Sequence, residues 1–180
     1  MNDDKFYMKK ALEHAEKALN RSNFPVGCIL TYKNQIIATG ERTGTDHSDS
    51  NELDHAEINA LRKLGQYKQK HMLDNSLLTI YSTLEPCMMC FSAIIIHGVS
   101  RLVYAFEDAM GGGTSVDRSK LTPLYRNHKI EIVPSVCRLE SLKLFKEFYS
   151  NSKNKYLAGS LLAKYIIDQD IIIKDEEHYE

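Results

Sequence analysis

Leu77-Leu78-Thr79-Ile80-Tyr81-Ser82 is followed by Pro86-Cys87-Met88-Met89-Cys90-Phe91-Ser92-Ala93-Ile94-Ile95-Ile96-His97-Gly98 and then by Arg101-Leu102-Val103-Tyr104-Ala105-Phe106. The outer two runs are short, apolar and rich in β-branched and aromatic residues, the pattern of strands. The middle run, from Pro86 to about His97 and closed by Gly98, reads as a helix. Strand, helix, strand in this order is the crossover that joins parallel neighbours. It predicts an α/β fold with a partly parallel sheet and helices on both faces.

Before this unit, a helix is expected from about Lys5 to Asn20, with Phe6, Ala11, Ala15, Ala18 and Leu19 on one face. Strands Val26 to Tyr32 and Gln35 to Thr39 follow, joined by a tight turn at Lys33-Asn34. Gly40 to Asp54 is polar and reads as a loop; a helix then runs from near His55 to Leu64, stopped by Gly65. After the crossover come a Gly111-Gly112-Gly113 loop, a short helix near Leu121 to Arg126 and a strand from Lys129 to Val133. Helices near Arg138 to Tyr149 and Tyr156 to Ile167 complete one domain, residues 1–167, with an acidic tail at 168–180. No repeat or linker divides the chain.

The chain has 180 residues, 43% hydrophobic and 26% charged, as expected of one soluble globular domain. No basic segment leads into an early apolar run, and no stretch approaches the roughly 20 apolar residues of a membrane span. A cytoplasmic protein with no membrane partner is expected. The net charge of −1 is uneven: Asp168 to Glu180 carries −5, leaving +4 for the remainder. That balance permits an RNA substrate without arguing for one. Of the four cysteines, Cys87 and Cys90 stand at ligand spacing, while Cys28 and Cys137 lie in apolar stretches and read as buried thiols.

The chemistry-bearing residues are His55-Ala56-Glu57 and Pro86-Cys87-Met88-Met89-Cys90. One imidazole and two thiolates make three zinc ligands, and three protein ligands leave the fourth position to water or hydroxide, as in a catalytic rather than a structural site. One zinc per chain is expected. Cys87 and Cys90, three apart, share a helix face, and Pro86 suits the first helical position. The positive end of the helix favours the thiolates. His55 and Glu57, two apart, face one site only if His55 sits at the very start of its helix. Glu57 is the expected catalytic residue: it takes a proton from zinc-activated water, passes it to a ring nitrogen, and then protonates a departing amine. The alternative is a closed zinc site, with a fourth ligand from Cys28, Cys137, His47, His71 or His97, in a non-catalytic zinc-stabilised binding module.

These motifs resemble the H-x-E…P-C-x-x-C signature of the cytidine-deaminase-like zinc superfamily. Within it the chain is most similar to the bacterial tRNA adenosine deaminases, through Phe24-Pro25-Val26-Gly27, His55-Ala56-Glu57-Ile58-Asn59-Ala60-Leu61, Thr83-Leu84-Glu85-Pro86-Cys87-Met88-Met89-Cys90 and Arg101-Leu102-Val103-Tyr104. Asp108 with the following glycines, and Asn127-His128-Lys129, resemble that group's later segments. Cytosine and guanine deaminases share much of the pattern. The resemblance implies a three-layer α/β/α sandwich around a mixed five-stranded sheet. It also implies zinc on His55, Cys87 and Cys90, Glu57 as proton shuttle, and a homodimer.

In these relatives an asparagine just after the second strand contacts the base, and Glu41 aligns there. An ionised carboxylate only accepts hydrogen bonds, so a different base edge would be read; the other reading of Glu41 is a solvent-facing strand end. The loop from Arg42 to Asp54 carries Asp46, Asp49, Glu52 and Asp54, and acidic groups at the mouth would repel a phosphate backbone. Phe24 either stacks on a base or belongs to the core. Met110 to Gly113 is either a mobile loop or a tight connection. The residues after Tyr149 either cap the pocket, extend a dimer contact, or pack as an extra helix. The expected substrate is a small-molecule nucleobase, nucleoside or nucleotide, with adenosine-to-inosine editing of a tRNA anticodon loop as the alternative.

Overall fold

Asp3 starts the first helix by accepting a hydrogen bond from the Phe6 N–H at 3.0 Å, an N-cap that satisfies one of the free amides of the first turn. The computed structural model describes residues 3–46 and 50–170. Helix α1 (Asp4–Asn20) buries Tyr7, Met8, Ala11, Leu12, Ala15 and Ala18, while Phe6, expected on that face, is exposed. The face is rotated because Met8 and Leu12 bury more apolar surface than Phe6 at the helix start could.

Strands β1 (Gly27–Tyr32) and β2 (Gln35–Glu41) form a hairpin. Lys33 and Asn34 both have positive φ (49° and 63°), the two-residue turn whose twist matches the strands. β2 runs two residues beyond the expected Thr39. Strands β3 (Leu78–Leu84), β4 (Arg101–Phe106) and β5 (Glu131–Val133) complete a five-stranded sheet of order β2-β1-β3-β4-β5. β1 is antiparallel to both neighbours, and β3, β4 and β5 are mutually parallel, so the expected mixed sheet is present.

Alternation along the strands assigns the two faces. Ile29, Tyr81, Val103 and Ala105 pack with Tyr7, Met8, Ala11 and Leu12 of α1. Cys28, Leu30, Ile80 and Leu102 pack on the other side with residues of α2 (Ala56–Lys68) and α3 (Met88–Ile96). Gly40 lets α2 sit directly on β2, because a Cβ there would collide with the Ala56 carbonyl. α2 does not stop at Gly65: that glycine keeps helical dihedrals, and the roughly 1 kcal/mol cost of an interior glycine is carried by the buried Ala60, Leu61 and Leu64.

The C-terminal third contains α4 (Pro123–Asn127), α5 (Arg138–Ser150) and α6 (Leu161–Asp168). α6 begins five residues later than expected. Leu157 and Gly159 take positive φ (53° and 75°), which a right-handed helix excludes, and the Ser160 hydroxyl then caps α6 through the Ala163 N–H at 3.1 Å. Residues 151–160 are therefore an irregular bridge. His47 and Asp49, and residues 171–180 of the acidic tail, lie outside the described residues. No described helix is long and apolar enough to cross a membrane.

Candidate active site

Two helix N-termini and the end of β3 meet at one place. His55 is the N-cap of α2 and Cys87 the N-cap of α3, and neither side chain makes a capping hydrogen bond. The two turn toward each other instead: His55 Nδ1 lies 3.7 Å from Cys87 Sγ and 3.5 Å from Cys90 Sγ. Among the described residues these three form the one group of ligand-type side chains whose donor atoms lie within 4.8 Å of one another. A nitrogen and two sulfurs at that spacing fit a zinc ion. Pro86 precedes the cap rather than opening the helix, so Cys90, not Cys87, is the cysteine inside the first turn.

The thiols behave as a pair sharing a proton. Cys87 is lowered to about 4 by the Cys90 side chain and by His55, which outweigh its burial. Cys90 is raised by Cys87, by burial and by Glu57. For His55, burial pulls the pKa down, but Cys87 and Glu57 bring it above its ordinary value.

Glu57 sits in the first turn of α2, 2% exposed. One carboxylate oxygen accepts a 2.6 Å hydrogen bond from Ser82 Oγ of β3; the other lies 3.5 Å from Cys90 Sγ. The start of the helix reconciles the two-residue spacing with a shared site, as the sequence required. Ser82, fully buried, was not found from sequence, because its partner lies 25 residues away and only the packing of α2 on the sheet brings the two together.

A cavity of about 270 Å³ opens from this cluster, lined by His55, Glu57 and Cys87 and, on its far side, by Arg42, Asp108 and Tyr156. Phe24 borders it but is 3% exposed, with its ring 5.1 Å from Phe145 and 5.3 Å from Phe148, so it supports the wall from within the core. Glu41 is outside the cavity. Its carboxylate pairs with Arg21 and lies 3.9 Å from His14, in a separate surface cleft between α1 and α2. Side chains alternate where β2 ends, so the residue that turns to the cavity is Arg42, one position on. The expectation for Glu41 was one residue out of register.

Arg42 is 3% exposed and donates to the carbonyls of Thr43 and Asn51, to Glu52 and to the Tyr156 hydroxyl. Of the loop acids, Glu52 lines the cavity, whereas Asp54 is held by Arg62 and Asn51. The segment after Tyr149 does cap the pocket, through Tyr156, Leu157 and Leu162. The glycine loop is a tight connection: the Gly113 N–H donates to the Pro86 carbonyl at 2.9 Å, and a Cβ on Gly113 would come within 2.7 Å of the Met88 nitrogen. None of the alternative fourth ligands among the described residues joins the cluster. Cys28 is buried in β1 and its thiol is pushed up by burial, His71 stacks on Tyr67, and His97 caps α3.

Residues 1–106 match the pattern that defines the cytidine and deoxycytidylate deaminase zinc-binding region. A tRNA-specific adenosine deaminase of Buchnera aphidicola subsp. Schizaphis graminum is 34% identical over 159 residues, covering 84% of this chain and 97% of the relative. One of Bacillus subtilis is 29% identical over 163 residues, 88% and 96% of the two chains. Among solved structures, a tRNA:A34 deaminase superposes with a TM-score of 0.65 at 28% identity, covering 77% of this chain and 98% of the other. The deaminase–reductase of Thermotoga maritima that acts in diaminohydroxyphosphoribosylaminopyrimidine conversion superposes at 0.62 and 29% identity, over 82% of this chain and 40% of that one.

Proposed function

We infer that this chain, which belongs to the cytidine and deoxycytidylate deaminase zinc-binding family, removes the amino group from a free base, nucleoside or nucleotide rather than from a base within tRNA. That it is a deaminase acting on a nucleobase-type ring follows from the family and its relatives. The observation that carries the small-molecule reading is a cavity of only about 270 Å³ whose lining includes Tyr156, Leu157 and Leu162. That lies just below the roughly 300–1,000 Å³ usual for ligand sites, and it suits one ring system.

His55, Cys87 and Cys90 hold the zinc, which, when bound, supplies a Lewis acid that brings the pKa of water near neutrality. Glu57 is the proton carrier. Ser82 fixes one of its oxygens, so the carboxylate is aimed before substrate arrives and needs no reorganisation. In that position it accepts a proton from the attacking water, delivers it to the ring nitrogen beside the amino-bearing carbon, then takes the proton of the hydroxyl left on that carbon and passes it to the leaving amine. The start of α2 places positive helix dipole behind this carboxylate, which steadies its charge between transfers. Burial excludes bulk water from the exchange.

The second reading, editing of a tRNA anticodon adenosine, is favoured by the names and near-complete coverage of the curated relatives. Ammonia release from cytosine, guanine, adenine, their nucleosides and nucleotides, and an adenosine-containing anticodon stem-loop separates the two. Turnover of a small molecule in preference to the RNA is the expected result; turnover of the RNA alone overturns the small-molecule reading. A homodimer in a cytoplasmic setting completes the proposal.

A further inference from the structure

We propose that Tyr156, held in place by Arg42 and Glu52, sets the size limit of the substrate, admitting one base with or without its sugar and rejecting a nucleotide flanked by others. This deepens the small-molecule reading and rests on it.

Three elements distant in sequence converge on one hydroxyl. Arg42 follows β2, Glu52 lies in the loop before α2, and Tyr156 lies in the bridge between α5 and α6. The Tyr156 hydroxyl donates to Glu52 Oε2 at 2.8 Å and accepts from Arg42 Nη2 at 3.2 Å, while the same Arg42 nitrogen donates to Glu52 Oε2 at 3.0 Å. The triangle is closed, with each member bonded to the other two. The guanidinium also lies over the Tyr156 ring, 5.6 Å from its centroid. All three residues line the cavity that holds His55, Glu57 and Cys87.

Arg42 has no spare role as an anion receptor through its terminal nitrogens. Both donate to protein acceptors, two carbonyls on one and Glu52 with Tyr156 on the other. A buried cation so fully engaged acts as a clamp on the elements it joins. The Tyr156 ring also packs 5.5 Å from Phe24, itself locked against Phe145 and Phe148, so ring and hydroxyl are fixed independently. The following Leu157, in a left-handed conformation, presents a second apolar side chain to the same cavity. Side chains so placed in the cavity that holds His55, Glu57 and Cys87 would leave less room for the neighbours of a nucleotide within a strand than for a free base or nucleoside.

The test takes the base turned over fastest by the wild-type protein, as its ribonucleoside and as the middle residue of a ribotrinucleotide. Wild type is expected to favour the nucleoside by at least 100-fold in kcat/KM. Tyr156→Ala should raise kcat/KM for the trinucleotide at least tenfold and raise KM for the nucleoside. Tyr156→Phe keeps the ring and loses the clamp, and should show a smaller shift in the same direction. Glu52→Gln, at an exposed side chain, reads the same ratio should Tyr156→Ala fail to fold. A trinucleotide-to-nucleoside ratio unchanged in every folded variant overturns the gate while leaving the small-molecule reading intact. Wild-type turnover of the trinucleotide or the stem-loop matching or exceeding that of the nucleoside overturns both.

Discussion

Glu57 shows how much one side chain depends on its support. Its pairing with Ser82 at 2.6 Å is a hydrogen bond to a charged group inside the protein, of a kind worth about 1.5–3 kcal/mol. Ser82→Ala is therefore expected to lower kcat by roughly 10- to 100-fold and the melting temperature by several degrees, with KM close to wild type. Steady-state kinetics beside a melting curve checks this; an unchanged kcat would remove Ser82 from the machinery. Glu57→Gln should cost at least about 10²-fold in kcat while bound zinc, measured by elemental analysis, stays at one per chain. Glu57 and the three ligand-type residues were legible because their identities and spacing carry their chemistry. Ser82 was not, since a serine in an apolar strand carries no mark of what faces it.

The elements are held in register by a few charged contacts. Asp4, in the first turn of α1, accepts two hydrogen bonds from Arg101 of β4, at 2.8 and 2.9 Å, and one from the Tyr81 hydroxyl at 3.0 Å. The Arg101 guanidinium holds the Asp4 carboxyl below its ordinary value, against the opposing effect of burial. A carboxylate with a depressed folded-state pKa contributes stability that is present above its unfolded value of about 3.9 and lost as pH falls through the folded one. Asp4→Asn should thus destabilise the protein by about 1–3 kcal/mol at pH 7, with the difference from wild type shrinking below about pH 4. Urea unfolding at pH 7 and at pH 3 tests it, and an equal penalty at both would assign the loss to packing. Strand and helix positions were readable from periodicity to within a few residues, except where a glycine misled. Gly65 reads as a stop yet lies inside α2, and the start of α6 is moved by left-handed residues that periodicity does not register.

For the whole molecule, the candidate zinc ligands lie at the starts of α2 and α3, so a metal held there would add folding energy as well as chemistry. Chelation is expected to lower the melting temperature by about 10 °C, restored by added zinc, from a few kcal/mol of linkage in a domain of this size. Cys90→Ser should show the lowered value and no response to chelator; a chelator response as large as wild type would place the metal elsewhere. The matched family pattern spans residues 1–106 and includes His55, Glu57, Cys87 and Cys90, whereas Tyr156, Leu157 and Leu162 of the cavity lining come from beyond it.

The sequence by itself determined the fold class, the mixed sheet and the candidate residues for holding a metal and carrying a proton. These rest on short-range patterns: strand and helix periodicity, and ligand types at set spacing beside helix starts. Only the tertiary structure decided which residues line the cavity. The turn of the chain after β2 sent Arg42 rather than Glu41 into the cavity, and the left-handed break before α6 delivered Tyr156 to Arg42 from 114 residues away. A one-residue step at a strand end reverses which way a side chain points, and pairing over such a separation is set by packing that no local pattern encodes.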